Sequence, residues 1–215
     1  MTLKRTLNRL RMISFWLMPL WAATLTQSVA AAEPAPATSP AAQEAQLREQ
    51  VQTNLDAMLN AVTLPAAEAV NILRPSVDFA AISRSVMGKH GREASPEQKA
   101  RFAEIFAISM VGLLKSATQS VGEFNVVVEK ASISPKNNAR AQVQASVALE
   151  GSPNLALIAA MANTDGVWMV RNLVFDGVNL GRTYRNQFEQ LLLENDNSLD
   201  AAINAWADQV NTPTP

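Results

Sequence analysis

As far as Val121 the apolar residues of this chain recur at a spacing of about 3.6 residues. From Phe124 to Phe175 they recur at every second residue, and after Asp176-Gly177 the helical spacing returns. A strand block between two helical blocks calls for an antiparallel sheet with helices gathered around it, the α+β class; a βαβ fold would alternate the two periods instead. The cleanest alternation is Ala139 to Glu150. Ala141, Val143, Ala145, Val147 and Leu149 face one way there, and Arg140, Gln142, Gln144, Ser146 and Glu150 face the other. Phe124, Val126 and Val128 precede it across the turn Pro135-Lys136-Asn137-Asn138. Gly151-Ser152-Pro153-Asn154 then turns into a strand over Leu155 to Ala162. Asp165-Gly166 is a hairpin signal leading into a last strand, Val167 to Phe175. The expectation is a four-stranded antiparallel curved sheet.

About six helices are predicted to flank it. Leu47, Val51, Leu55, Met58 and Leu59 mark an amphipathic helix over Gln43 to Ala61. A second runs from about Pro65 to Leu73, stopped by Pro75, and a third from Phe79 to Val86, closed by Gly88. Gly91 is read as keeping the next link irregular, with His90 in a loop. Ser95-Pro96-Glu97-Gln98 then opens a long helix with a capping box and Pro at its first position. Phe102, Ile105, Phe106, Met110, Leu113, Leu114 and Ala117 stripe that helix, and Ile108 and Val111 widen the stripe. Tyr184, Phe188, Leu191 and Leu192 line one helix after the sheet; Leu199, Ile203, Trp206 and Val210 line the last.

Residues 1–32 read as a cleaved signal peptide. Lys4, Arg5, Arg9 and Arg11 precede an apolar run from Met12 to Leu25, and Ser28-Val29-Ala30 and Ala30-Ala31-Ala32 offer small-x-small cleavage sites. The chain has no Cys, which excludes a lipoprotein anchor, and Leu10 separates Arg9 from Arg11, so no twin-Arg pair is present. Residues 33–42 carry Pro34, Pro36 and Pro40 and read as a disordered leader, leaving 43–212 as a single domain. All four charges of residues 1–32 are basic. The remainder therefore has 14 Lys+Arg against 19 Asp+Glu, a net charge of −5 where the whole chain has −1. A mildly acidic domain argues against nucleic acid as a partner.

The last two strands are apolar on both faces. Leu155, Leu157 and Met161 alternate with Ile158, Ala160 and Ala162; Val167, Met169, Leu173 and Phe175 alternate with Trp168, Val170 and Val174. Either helices pack both faces as plain core, or the sheet curls and one face lines a cavity with the long helix as its lid. Small residues such as Ala141, Ala145, Ala159 and Ala160 would leave room for the second.

Equipment for catalysis is thin. One His and no Cys make neither a metal site of paired histidines nor a thiolate nucleophile, and there is no nucleophile elbow and no Gly-rich phosphate loop. Asp165 and Asp176 read as turn residues. No catalytic residue, metal or cofactor is assigned. Pairing of carboxylates in space is not legible from sequence, so an enzyme with a buried carboxylate base stays a competing reading.

Two stretches resemble a known family. The first is Ile72-Leu73-Arg74-Pro75-Ser76-Val77-Asp78-Phe79, with Ile82, Ser83, Val86, Met87 and Gly88, then Ala94-Ser95-Pro96-Glu97-Gln98 and the helix from Phe102 to Leu114. The second is Asp165-Gly166-Val167-Trp168-Met169-Val170, then Phe175-Asp176-Gly177-Val178-Asn179-Leu180, then Tyr184-Arg185-Asn186-Gln187-Phe188. In order and spacing they are similar to the MlaC (toluene-tolerance) family of periplasmic phospholipid-binding proteins. The chain departs from the family pattern in several places. His90-Gly91-Arg92 stands where a Trp-Arg pair is common, Asn179 replaces Ser, Asn172 stands where an acid is common, and the tyrosines expected on the long helix and third strand are absent, with Ile158 in one such place.

The resemblance implies the cavity reading: a soluble periplasmic carrier and not an enzyme. Such a carrier moves phospholipid between an outer-membrane lipoprotein-porin complex and an inner-membrane ABC-transporter complex with a lipid-binding ring, maintaining outer-membrane lipid asymmetry. Expected pocket-lining residues are Met110, Leu114, Val126, Val143, Ala145, Ile158, Trp168, Val170 and Phe188. Tyr184 and Arg185 are expected at a headgroup or docking position. A hopanoid-like polycyclic lipid is the alternative cargo, and a ligand-free periplasmic adaptor with a filled core is the alternative from another class.

Overall fold

In the computed structural model, which describes residues 39–121, 124–149 and 151–211, the alternating block becomes a meander. Its strands are β1 (Phe124–Ser134), β2 (Asn137–Leu149), β3 (Leu155–Thr164), β4 (Val167–Phe175) and β5 (Val178–Asn179), each antiparallel to the one before. The sheet thus has five strands and not the expected four. Asp176 and Gly177 take φ of 44° and 80°, as Asp165 and Gly166 take 53° and 86°. Two successive left-handed residues make a hairpin turn that suits strand twist, so the chain folds back on Phe175 before the next helix starts. The predicted signal segment and residues 33–38 of the predicted leader lie outside the described residues, while Ser39 to Ala42 of that leader are described and open a helix instead.

Register assigns the faces. Val126, Val147 and Leu155 form one cross-strand row; Val128, Ala145, Leu157 and Phe175 form the next. Ala131, Val143, Ala159 and Leu173 follow, then Ile133, Ala141, Met161 and Val170. These rows share the inner face. Gln144, Ile158 and Val174 form a row on the outer one. Two bulges keep the pattern in phase: Glu129 is the extra residue on β1 and Arg171 on β4. The second corrects the predicted faces of β4, because it moves Leu173 and Phe175 onto the side of Trp168 and Val170.

The helices are α1 (Pro40–Ala61), α2 (Ala66–Leu73), α3 (Phe79–Met87), α4 (His90–Glu93), α5 (Pro96–Val121), α6 (Leu180–Glu194) and α7 (Leu199–Asn211). The first starts three residues before Gln43, with Ser39 Oγ accepting from Ala42 N as its cap. The seventh helix, α4, replaces the expected irregular link, and His90 is its first residue instead of a loop residue. A Cβ on Gly91 would lie 3.0 Å from Arg84 O and 3.1 Å from Met87 Cβ, so the glycine permits close approach of α4 to α3. The capping box at α5 forms as expected: Ser95 Oγ accepts from Gln98 N at 3.2 Å, and Gln98 Oε1 accepts from Ser95 N at 2.9 Å.

Helices α3, α5, α6 and α7 enclose an aromatic core. Phe102 stacks tilted on Phe188 at 4.6 Å and meets Trp206 edge-on at 5.5 Å. Trp206 Nε1 donates to the buried Ser109 hydroxyl at 3.0 Å. Both edges of the sheet are guarded. On β1, Gln52 of α1 acts as a neighbouring strand would, its Nε2 donating to Val126 O and its Oε1 accepting from Val128 N; Glu44 Oε1 accepts from Ile133 N. On β4, Val170 N donates to Ser76 O and Val170 O accepts from Asp78 N, a single parallel bridge beside the bulge. Asp78 also caps α3 at Ala81 N and pairs with Arg171 at 2.8 Å.

Candidate functional site

The inner face of the sheet is closed at one end and open at the other. Helix α1 crosses the closed end, where Leu47 and Val51 pack with Val128, Ala131, Ala141, Val143, Ala159, Met161 and Trp168, all buried. At the open end Val126, Ala145 and Val147 form a buried floor, while Leu55, Phe124, Leu149, Leu155, Leu157 and Phe175 around it are only half-buried. Six large apolar side chains left partly in water on one connected surface are unusual for a finished core. Covering them gains about 25 cal/mol per Å², and a hydrocarbon ligand is the natural cover. This half-covered apolar surface, three cross-strand rows from Phe124–Leu149 to Ala145–Leu157–Phe175 and bordered by Leu55 of α1, is the trough.

The sequence-predicted residues do not come together in one place. Val126 and Ala145 lie on the floor of the open end, and Val143, Trp168 and Val170 lie in the neighbouring part under α1. Met110 and Phe188 belong instead to the helical core, Phe188 fully buried among the aromatic rings and Met110 half-buried against it. Leu114, one turn further along α5, is half-buried. Ile158 projects from the outer face, since its register partners are Gln144 and Val174. The sequence offers Phe124, Leu149, Leu155, Leu157, Phe175 and Leu55 only as members of strand and helix patterns. Their apolar character was plain in the sequence, but their half-burial is a tertiary property.

Tyr184 and Arg185 diverge. The Tyr184 ring turns inward to meet Phe106 and Trp206 edge-on at 5.8 and 6.3 Å, and burial pushes its phenol pKa up. Arg185 turns outward to α3, Nε donating to Ser85 O at 2.8 Å and Nη2 to Ser85 Oγ at 2.9 Å. It borders a cleft of about 190 Å³ that Lys89, His90 and Glu189 also line, and that cleft shares no residue with the trough. A second cleft of about 330 Å³ opens at the far end of α1, lined largely by carboxamides: Gln43, Gln46, Gln50, Asn138 and Asn163.

Among the described residues no group of three or more His, Cys, Asp or Glu is placed to hold a metal ion, and no helix is long and apolar enough to cross a membrane. Two of the departures from the family pattern meet each other. Asn172 Nδ2 donates to Asn179 Oδ1 at 3.2 Å while Asn172 Oδ1 accepts from Gly181 N, and Asn179 caps α6 at Arg182 N. The amide at 172 supplies the N–H donor that Asn179 Oδ1 accepts from, which a carboxylate could not.

A family model described as MlaC protein matches residues 65–208. The chain is similar to the toluene tolerance protein ttg2D of Pseudomonas putida, 32% identical over 164 residues that span 76% of this chain and 72% of that protein. Its fold is similar to that of a phospholipid-binding protein from Ralstonia solanacearum solved in complex with a phospholipid. The TM-score is 0.65 over 77% of this chain and 98% of that one, at 19% identity.

Proposed function

The chain belongs to the MlaC family, and from that premise we propose that it is a periplasmic phospholipid carrier, not an enzyme, that holds acyl chains in the trough of β1–β4. The observation that carries the reading is the half-buried ring of Leu55, Phe124, Leu149, Leu155, Leu157 and Phe175 around an aliphatic floor. Each methylene removed from water is worth about 0.8 kcal/mol, so two long tails free in the periplasm would cost on the order of 20 kcal/mol. A carrier has only to replace water by a lining as apolar as the bilayer. Pickup and delivery then run close to isoenergetic, and direction is set by the membrane complexes at either end. In this reading those are an inner-membrane ABC-transporter complex and an outer-membrane lipoprotein-porin complex, and traffic between them sustains outer-membrane lipid asymmetry. Arg185, fixed on Ser85 beside Lys89 and His90 and apart from the trough, is assigned to docking and not to the headgroup. Tyr184 is assigned to the aromatic core.

The test is organic extraction of residues 33–215 purified from a Gram-negative periplasm, followed by lipid mass spectrometry. Phospholipid close to one per chain supports the reading and names the cargo. A folded protein that carries none, and stays empty when offered phospholipid vesicles, moves the assignment to a ligand-free adaptor.

A further inference from the structure

Helix α1 lies on the surface assigned to the cargo. Leu47 is 2% and Val51 7% exposed against the inner face, and Leu55 packs against both the closed and the open clusters. Gln52 and Glu44 tie it to backbone groups on the outer edge of β1. From Phe124 to Val128 four residue steps along β1 cover about 13 Å. An acyl chain in a bilayer leaflet reaches about 15 Å, half of the hydrocarbon thickness. A tail laid along the strands from Phe124 therefore reaches Val128, which lies in one cluster with Val51 and Leu55 of α1 and whose N–H donates to Gln52 Oε1. Tail and helix claim the same ground.

We propose that α1 is an intramolecular competitor of the lipid. Val51 and Leu55 cover the part of the trough that the ends of the acyl chains would occupy. Loading then lifts α1 off the sheet, and emptying lets it return. This rests on the carrier reading and goes beyond it, because it predicts the sign of a mutational effect. Weakening a wall of a binding site lowers affinity. Weakening a competitor raises it.

The experiment equilibrates delipidated protein with vesicles of phosphatidylethanolamine and phosphatidylglycerol that contain a fluorescent phosphatidylethanolamine, and reads lipid transferred to protein. Val51→Ala is expected to tighten lipid binding about tenfold, equivalent to about 1.4 kcal/mol. Gln52→Ala, which loosens α1 without touching the apolar surface, is expected to tighten it several-fold and guards against misfolding of the first variant. Backbone amides of α1 should exchange faster with solvent in the loaded protein. If the wild type takes up lipid but both variants bind as it does or more weakly, or if α1 exchange is unchanged by loading, the competitor is overturned and α1 is an ordinary wall. If the wild type takes up no lipid at all, the carrier reading itself has failed.

Discussion

Phe188 separates pocket from core, because the two roles predict opposite results for Phe188→Ala. The ring is 1% exposed, 4.6 Å from Phe102 and 6.1 Å from Trp206, with Leu191, Leu192 and Ile203 in the same cluster. Phe→Ala substitutions in cores cost about 3–5 kcal/mol, of which the transfer of the ring is the larger part and the residual cavity the rest. One feature lowers the second part here: Phe188 also borders the Arg185 cleft, so water can enter the space left behind. The expected cost is about 3 kcal/mol. That is a large fraction of the 5–15 kcal/mol typical of a domain, yet survivable. It corresponds to a melting temperature lower by about 6–12 °C for a domain of this size. Urea denaturation of wild type and variant at matched lipid content gives the number, and mass spectrometry of the folded fraction gives the cargo. The reasoning holds if stability falls and lipid per folded chain stays constant. A variant within about 1 kcal/mol of wild type that had lost its lipid would refute it and return Phe188 to the pocket wall.

Three further outcomes follow from the geometry. Ala145→Trp fills the trough and should abolish lipid uptake, whereas Ile158→Trp, on the outer face, should leave uptake unchanged; equal loss in both would mean the two faces are misassigned. Tyr184 is the single tyrosine of the chain, so phenolate absorbance reports it alone, and its midpoint in the folded protein should lie above the ordinary value of 10.0. Burial favours the neutral phenol, so its contribution to stability is complete below pH 10 and is lost as pH rises through the higher folded value; Tyr184→Phe should remove that alkaline loss. Gly181→Ala would put a Cβ 2.5 Å from Asn172 Oδ1, breaking the amide link to α6. A cost of about 1–3 kcal/mol is expected in urea titration, and a neutral result would show that the Asn172–Asn179 pair carries no stability.

Much of this was written locally in the chain. Parity along β2 assigned every residue from Ala141 to Leu149 to its face, and the Ser95–Gln98 box placed the start of α5. What parity cannot show is a break in itself. Val170-Arg171-Asn172 looks like three ordinary strand residues, but Arg171 is left over when β4 pairs with β3, and the partner strand decides that. The short β5 had its signal in Asp176-Gly177, read as a boundary because two residues are too few for a pattern. Ser39-Pro40 has the form of Ser95-Pro96 and caps α1 in the same way, but the neighbouring prolines mask it. Gly91 looked like a breaker because closeness of α3 and α4 is not a local property. For the site, sequence parity already set Leu157 and Ile158 on opposite faces. Which face would be left half-open depends on where α1 comes to rest, and nothing local encodes that.

The guard on the edge of β1 has a consequence for how the molecule assembles and keeps. All three ties come from residues 74 to 89 positions earlier in the chain, so they close only after α1 and β1 have found each other across that whole separation. Contacts of such span form late. Until they close, and again whenever α1 leaves the sheet, β1 offers unpaired backbone groups to any strand at hand, including the same strand of another copy. Refolding yield should therefore fall with protein concentration more steeply for Gln52→Ala than for wild type, and β1 is where the first intermolecular pairing should be found.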